Sequence, residues 1–551
     1  MQIAVEKVFP RLLSFTFALK KQLGLMCKMI RILAGLAVLA AASCSPLDFF
    51  GKRGEIIDVE GDLSHEMMVL GEQLENPYSV TNVEAALQSL YPTRGRIDVH
   101  PTDLYVRFLP ESDEQYQTLE SLGIVLMDHP LDYRIVRDGD YYHDPDLPDG
   151  AITWQYAVVP PDFSFPEGIR HEELDPCYIS DNDPATRADG IDWSEVEREA
   201  YRITGNGDLI PMLRGDNYDA TKPKGRIAIV DEDLDSEPIG VKGVRVVGNS
   251  FVKFCTAYTD DGGYYQMDRK FTSKVRYRLV FKNRKGFSIG MNLLLTPAST
   301  SALGKHSPDG VSITVDRNSE RKLFCRCVVN NACRDYFEKC SEGTGSMRTP
   351  PSNLRIWLFQ KMEASSTVMM QQGVGIDGNK IGEFLGVFAP LVKMFLPDIT
   401  LGLEGKEDYS SIYASAIHEC AHASHFAQVG REYWEKYILF VLTSFITSGG
   451  ITYGVGTEKD HGYCEIGEMW AYYVQTKLFR ERYPDDDRSF GTSFWFYPQI
   501  FLYLDERGID RFRIFSSLGA DVTDKDILKQ KLLSLYPESR SVITQAFVRY
   551  M

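Results

Sequence analysis

Apolar positions along this chain recur at two periods, and the places where the period changes divide it into segments. Asn82 is placed to cap a short helix over Val83 to Leu90, stopped by Pro92. Leu104 to Phe108 alternates as a strand does, and Ser112-Asp113-Glu114 opens a second helix that runs to Leu122 and is closed by Gly123. Ile124 to Met127 and Tyr133 to Val136 read as further strands, so residues 61–180 predict a small α+β domain whose plainest role is binding or spacing. Trp193 to Thr204, ended by Gly205, predicts one helix inside a linker over 181–222. The pattern then turns to β. Gly225 to Val230, Gly240-Val241, Gly243 to Val247 and the alternating run Val275 to Phe281 are separated by Gly/Asp turns, which predicts a β-sandwich over 223–292. Residues 293–350 are irregular and predict a cysteine-containing linker with some helix around 328–339. From 351 to 551 the chain is aromatic-rich and mainly helical, with one helix from Tyr409 to Val429 closed by Gly430 and another over 462–480. Between them Tyr437 to Ile446 is strongly apolar, too short to span a bilayer, and reads as a core helix. The fold class expected is therefore α+β and multidomain.

The helix over Tyr409 to Val429 carries His418-Glu419-Cys420-Ala421-His422. Two histidines four residues apart lie one turn apart on one helix face, so both rings can meet one ion at about 2.0–2.1 Å. The intervening Glu419 is then placed beside a water activated by the ion and can take its proton. The chemistry expected is hydrolysis of a peptide bond in a peptide or protein substrate, with Zn2+ as cofactor and Glu419 as the catalytic base. A catalytic zinc needs a third protein ligand and an open position. Gln428 stands where a metzincin would carry a third histidine, which excludes that pattern. Glu468 on the following helix is the favoured third ligand. Glu465, His461 and His425 stand as alternative ligands or as groups that hydrogen-bond one. Tyr473 and Tyr497 are candidates for stabilising charge in the transition state. The strand Pro397 to Leu403, ahead of the first metal helix, is expected to be an edge to which an extended peptide could add.

Glu468-x-x-Ala471-x-Tyr473 resembles the E-x-x-A-x-Y stretch of gluzincin aminopeptidases, which implies that Glu468 binds zinc and that 351–551 is a zincin-like domain. The separation between His422 and Glu468 is longer here than in those enzymes. The pattern G-x-I, P-x4-G-V-x-V and T-D-x-x-G-x-Y, within about 224–290, is similar to carboxypeptidase-regulatory-like (transthyretin-like) domains. That resemblance implies an accessory module without catalytic residues.

At the other end, Arg31 precedes an apolar run from Ile32 to Ala42, followed by Ser43-Cys44. Leu39-Ala40-Ala41-Ala42-Ser43-Cys44 resembles a bacterial lipobox. It implies a signal segment over 1–43, with Met29 the better start, and lipidation at Cys44. A tether over 44–60 would follow, with attachment to the membrane through a lipid anchor. Ser45 in place of Asp implies the outer membrane of a bacterial cell envelope. The net charge of −17 repels phosphate backbones, so nucleic acid is not an expected partner. Exported proteins can form disulfides. The cluster Cys325, Cys327, Cys333 and Cys340 lacks zinc-site spacing and reads as one or two disulfides or as free core thiols. Cys420 and Cys464 allow the same two readings.

Overall fold

The computed structural model describes residues 67–550 except 96, 140, 149–150, 188–189, 212–219, 235–236, 291–299, 344, 361–362, 364, 375–396 and 449–452. The expected signal segment, Cys44 and the tether lie outside the described residues. What is described is a mixed α/β molecule with several sheets.

The first unit comprises β1 (Val69–Gln73), α1 (Val80–Leu90), β2 (Asp103–Leu109), α2 (Asp113–Ser121), β3 (Tyr133–Arg137), β4 (Gln155–Val159), β5 (Arg170–Cys177) and α3 (Trp193–Ile203). Strand β2 lies between β4 and β5, antiparallel to both, while β1 and β3 form a separate ribbon. Ser112 caps α2 by accepting from the Gln115 amide at 3.3 Å, and Asp192 caps α3 through the amides of Ser194 and Glu195. Three expectations shift. Helix α1 starts after Ser79, and Asn82 sits inside it with its side-chain amide on the Asn76 carbonyl. Residues 124–127 are not a strand; only Met127 bridges to Tyr156. Strand β5, Arg170 to Cys177, escaped the pattern because it is an exposed edge with little apolar alternation.

The second group of strands is β6 (Lys224–Ile229), β7 (Ile239–Gly240), β8 (Arg245–Ser250), β9 (Lys253–Tyr258), β10 (Tyr264–Gln266), β11 (Val275–Val280), β12 (Phe287–Gly290), β13 (Thr300–His306) and β14 (Ile313–Val315). One sheet has the order β10-β6-β14, with β7 also on β6, and another has the order β13-β11-β8-β9. Ile227 and Ile229 from the first, and Val246, Tyr277 and Leu279 from the second, are buried in one core. The stretch expected as a linker is structured. It supplies β13, β14 and the 19-residue helix α4 (Arg321–Lys339), capped by Glu320. The helix expected around 328–339 is thus the second half of α4, which is buried over most of its length and shows no one-sided apolar stripe to mark its full extent. Its inward amides are satisfied: Asn331 Nδ2 donates to the Gly240 carbonyl at 2.9 Å and its Oδ1 accepts from the Lys242 amide at 3.0 Å. Cys325, Cys327, Cys333 and Cys340 are free buried thiols, as are Cys420 and Cys464. The Cys420 sulfur faces that of Cys333 on α4 at 3.5 Å.

The remaining chain forms β15 (Leu354–Phe359), β16 (Ser366–Thr367), β17 (Ile399–Gly402), α5 (Tyr409–Val429), α6 (Arg431–Ser448), α7 (His461–Arg482), α8 (Gln499–Asp505), α9 (Arg511–Ser517), α10 (Lys525–Leu535) and α11 (Arg540–Arg549). The sheet order is β12-β15-β17-β16, parallel except for the antiparallel β16. Strand β12 thus leaves the expected sandwich to join this sheet. The segment Pro397 to Leu403 holds β17, an inner strand, and the edge is β16 instead. Helix α5 packs against α7, α4 and the sheet, and a single apolar cluster runs from Ile227 to Phe547. No helix among the described residues is long and apolar enough to cross a membrane.

Candidate metal centre

Asp408 caps α5, accepting from the Ser411 amide at 2.7 Å, and Gly430 ends it in the left-handed region at φ 82°. Within it His418 and His422 point at the middle of α7, where Glu468 faces them. Gly467 permits the approach of α6: a methyl group there would stand 3.3 Å from the Tyr437 ring and 4.0 Å from His422.

The three side chains converge. His418 Nε2 and His422 Nε2 are 3.1 Å apart, His418 Nε2 and Glu468 Oε2 are 3.5 Å apart, and His422 Nε2 and Glu468 Oε1 are 3.5 Å apart. A four-coordinate ion with bonds of about 2.0–2.2 Å needs ligand atoms about 1.6 bond lengths apart, or roughly 3.3–3.6 Å. The spacing found is close to that. Among the described residues these are the three His, Cys, Asp or Glu side chains grouped closely enough to hold an ion. All are almost wholly buried, and Glu468 Oε2 makes no hydrogen bond among the described residues. Two imidazole nitrogens facing each other beside a buried carboxylate oxygen without a hydrogen bond fit a cation.

The surroundings fix the donor atoms. His418 Nδ1 donates to Gln475 Oε1 at 3.1 Å, which leaves the lone pair on Nε2. Tyr437 donates its hydroxyl to Glu468 Oε1 at 2.6 Å. The Tyr472 ring lies edge-on to His418 at 4.4 Å, and Trp434 lies against His422 at 5.8 Å. Burial raises the Glu468 carboxyl, but the charge of His422 and the nearness of both imidazoles outweigh it and hold the pKa at about 2. Burial lowers His418, yet the adjacent Glu468 and the charge of Glu419 leave it above 6.5. Glu419 accepts from the Thr367 hydroxyl at 2.7 Å, and the Thr367 carbonyl accepts from the Trp434 indole at 3.1 Å. Edge strand β16 thereby positions Glu419.

The other candidates go elsewhere. Glu465 accepts from the Lys525 amide at 3.0 Å and from its ammonium at 2.8 Å, and so holds the start of α10. His461 begins α7, donates from Nδ1 to the Glu458 carbonyl at 2.7 Å and packs on Trp495. His425 is buried between Tyr433 and Trp434, with no hydrogen bond to either ring nitrogen among the described residues. Tyr473 packs on Trp470 and Phe501, and Tyr497 lies under the Lys525 ammonium. The tyrosines at the cluster are Tyr437 and Tyr472. Tyr437 gave no signal inside its apolar run; Tyr472 and Gln475 were also missed, although they stand at i+4 and i+7 from Glu468, on one helix face, a spacing that could have found them. No protein-family model matches this chain, and neither a curated protein nor a solved structure matches it.

Proposed function

We propose that this chain is a lipid-anchored, exported zinc-dependent metallopeptidase, with His418, His422 and Glu468 as ligands and Glu419 as general base. The observation that carries the reading is the convergence of three buried donor atoms at near-tetrahedral spacing, on helices that also present Glu419. Three protein ligands without a fourth among the described residues is the donor set of a catalytic rather than a structural zinc. Bound there, zinc would supply Lewis acidity to polarise a peptide carbonyl and acidify a water. Glu419, held by Thr367, takes the water's proton and passes it to the leaving amine. Strand β16, the antiparallel edge beside α5, holds Glu419 in place through Thr367. On this reading residues 351–551 form a zincin-like domain. The two facing sheets of the middle region are a carboxypeptidase-regulatory-like accessory sandwich, and Cys44 carries the anchor in the outer membrane.

The test compares Glu419→Gln with the unchanged chain for zinc content and for cleavage of a peptide library. The variant is expected to keep about one zinc per chain and lose hydrolysis. A variant that cleaves as well as the parent would overturn the mechanism. A parent that takes up no zinc after loading would leave a non-catalytic binding lipoprotein as the reading.

A further inference from the structure

Strand β11 shows two opposite faces. Val275, Tyr277 and Leu279 enter the core, while Lys274, Arg276 and Arg278 point the other way, under the N-terminal unit. In the ladder to β13, Lys305 stands directly opposite Arg276. Like charges directly opposite in a sheet repel, yet four cations gather here in a chain of net charge −17. They line a cavity of about 40 Å3, roofed by His129, Leu131 and Tyr133. One water takes roughly 10–15 Å3 on this measure, so the space suits a group of a few heavy atoms.

The counter-charge is incomplete. Arg278 is 4% exposed, and the partners of its guanidinium are all neutral and distant: Met127 Sδ at 3.5 Å, His129 Nε2 at 3.4 Å and Asn249 Oδ1 at 3.4 Å. Lys305 makes no ion pair among the described residues, and Lys274 reaches only the Asp208 carbonyl at 3.2 Å. The acids that face the cluster are Asp138, which pairs with Arg276 from a half-exposed position, Asp128, which is engaged by the Tyr142 amide at 2.7 Å and by His129 at 2.7 Å, and Asp208, whose charge reaches Lys305 without pairing with it. A buried guanidinium without a carboxylate is costly, and its planar fork matches an oxyanion.

We propose that this cavity, between the N-terminal unit and the outer face of β11, binds a compact oxyanion, a phosphate group or a carboxylate terminus, through Arg278, Arg276 and Lys305. The site is separate from the metal centre and does not depend on it. Burial foremost, and then the charge of Arg276, pushes the Arg278 pKa down to about 10, as an unmet counter-charge would. An anion here would also join two parts of the chain, since its ligands lie on β11 and β13 while its roof belongs to the first unit.

The experiment is calorimetric titration of the full chain with inorganic phosphate, and separately with acetate, at fixed ionic strength set by chloride. One saturable site per chain is expected. Arg276→Gln/Lys305→Gln, which leaves the buried Arg278 in place for folding, should weaken it ~10-fold or more. Asp138→Asn, which removes a competing acid, should tighten it. Tighter phosphate than acetate assigns a phosphoryl ligand, and the reverse assigns a carboxylate. No saturable binding of either anion, or equal binding by the parent and the double variant, would overturn the proposal.

Discussion

Glu468 and Glu465 stand three residues apart on α7, and their partners separate their roles. Glu468 meets two histidines and the Tyr437 hydroxyl, whereas Glu465 is committed to Lys525. Glu468→Ala is therefore expected to abolish zinc uptake. Glu465→Ala should keep about one zinc per chain while loosening α10, seen as lower amide-exchange protection there. Zinc loss in both variants would contradict this division. His418 adds a pH dependence. Its pKa in the metal-free fold is raised above 6.5, so a proton must leave before the ion can bind, and zinc affinity should fall as pH drops through and below that range. Glu468, at about 2, is already ionised and releases none. His425 runs in the opposite sense. Burial foremost, then the charge of His422, holds it at about 3 against 6.5 unfolded, so the folded chain binds fewer protons between those values. Its contribution to stability is complete above about pH 6.5 and is lost as pH falls. His425→Leu should flatten the decline in melting temperature between pH 7 and 5 and leave zinc content unchanged; an unchanged slope would count against it. At this scale the sequence was most readable where helical spacing did the work, as for His418 and His422, and least where the choice was between neighbours: Tyr473 was expected, but it is Tyr472, with Gln475 one turn on, that faces His418.

At the scale of elements the centre depends on how closely α6 and α7 approach and on where β16 ends. Alanine is about 1 kcal/mol better than glycine inside a helix, so Gly467→Ala should not unfold α7. Its methyl group would press on the Tyr437 ring at 3.3 Å and shift the hydroxyl from Glu468. The expected result is equal or higher thermal stability with weaker zinc binding, and unaltered zinc affinity would show the contact to be slack. Thr367 supplies the other constraint. A hydrogen bond to a charged group is worth about 1.5–3 kcal/mol, so Thr367→Val should lower turnover roughly 10- to 100-fold with zinc retained. Neither constraint could be foreseen: β16 is two residues long, below any periodic signal, and Gly467 reads as a helix weakness until its neighbour is known. Helix α4 was foreseen only in its second half, around 328–339, for another reason. A helix buried nearly all round has no polar face, and of the two readings its cysteines allowed, cross-links or core thiols, the second holds. The long α5 and α7, whose ends are marked by Asp408, Gly430 and the basic residues Arg480 and Arg482, were readable at once.

Across the whole molecule the three expected segments are less separate than their compositions suggest. Strand β12 leaves the middle sheets to pair with β15, and β13, β14 and α4 bind those sheets to the C-terminal helices in one core. The N-terminal unit joins through a different kind of contact. Arg355 on β15, with its side chain 2% exposed, donates from Nη2 to both carboxylate oxygens of Asp113 at 2.8 and 2.9 Å, at the first turn of α2. Its backbone amide donates to Asp398, whose carboxyl burial raises to about 6, so one residue touches the N-terminal helix and the segment that leads into β17. Removing one partner of such a buried pair strands the other charge and typically costs about 3–5 kcal/mol, whereas replacing both by apolar groups is often neutral. Asp113→Ala should therefore lower the urea midpoint sharply and expose the boundary between the first unit and the rest to protease at urea concentrations the parent withstands. Asp113→Leu/Arg355→Met should recover most of that loss. If the single variant unfolds at the parent midpoint, the ion pair is not what docks the unit. The docking would then fall to the apolar contacts of Phe251 and Val252 with Tyr201 and Leu209, which Phe251→Ala would break in its turn.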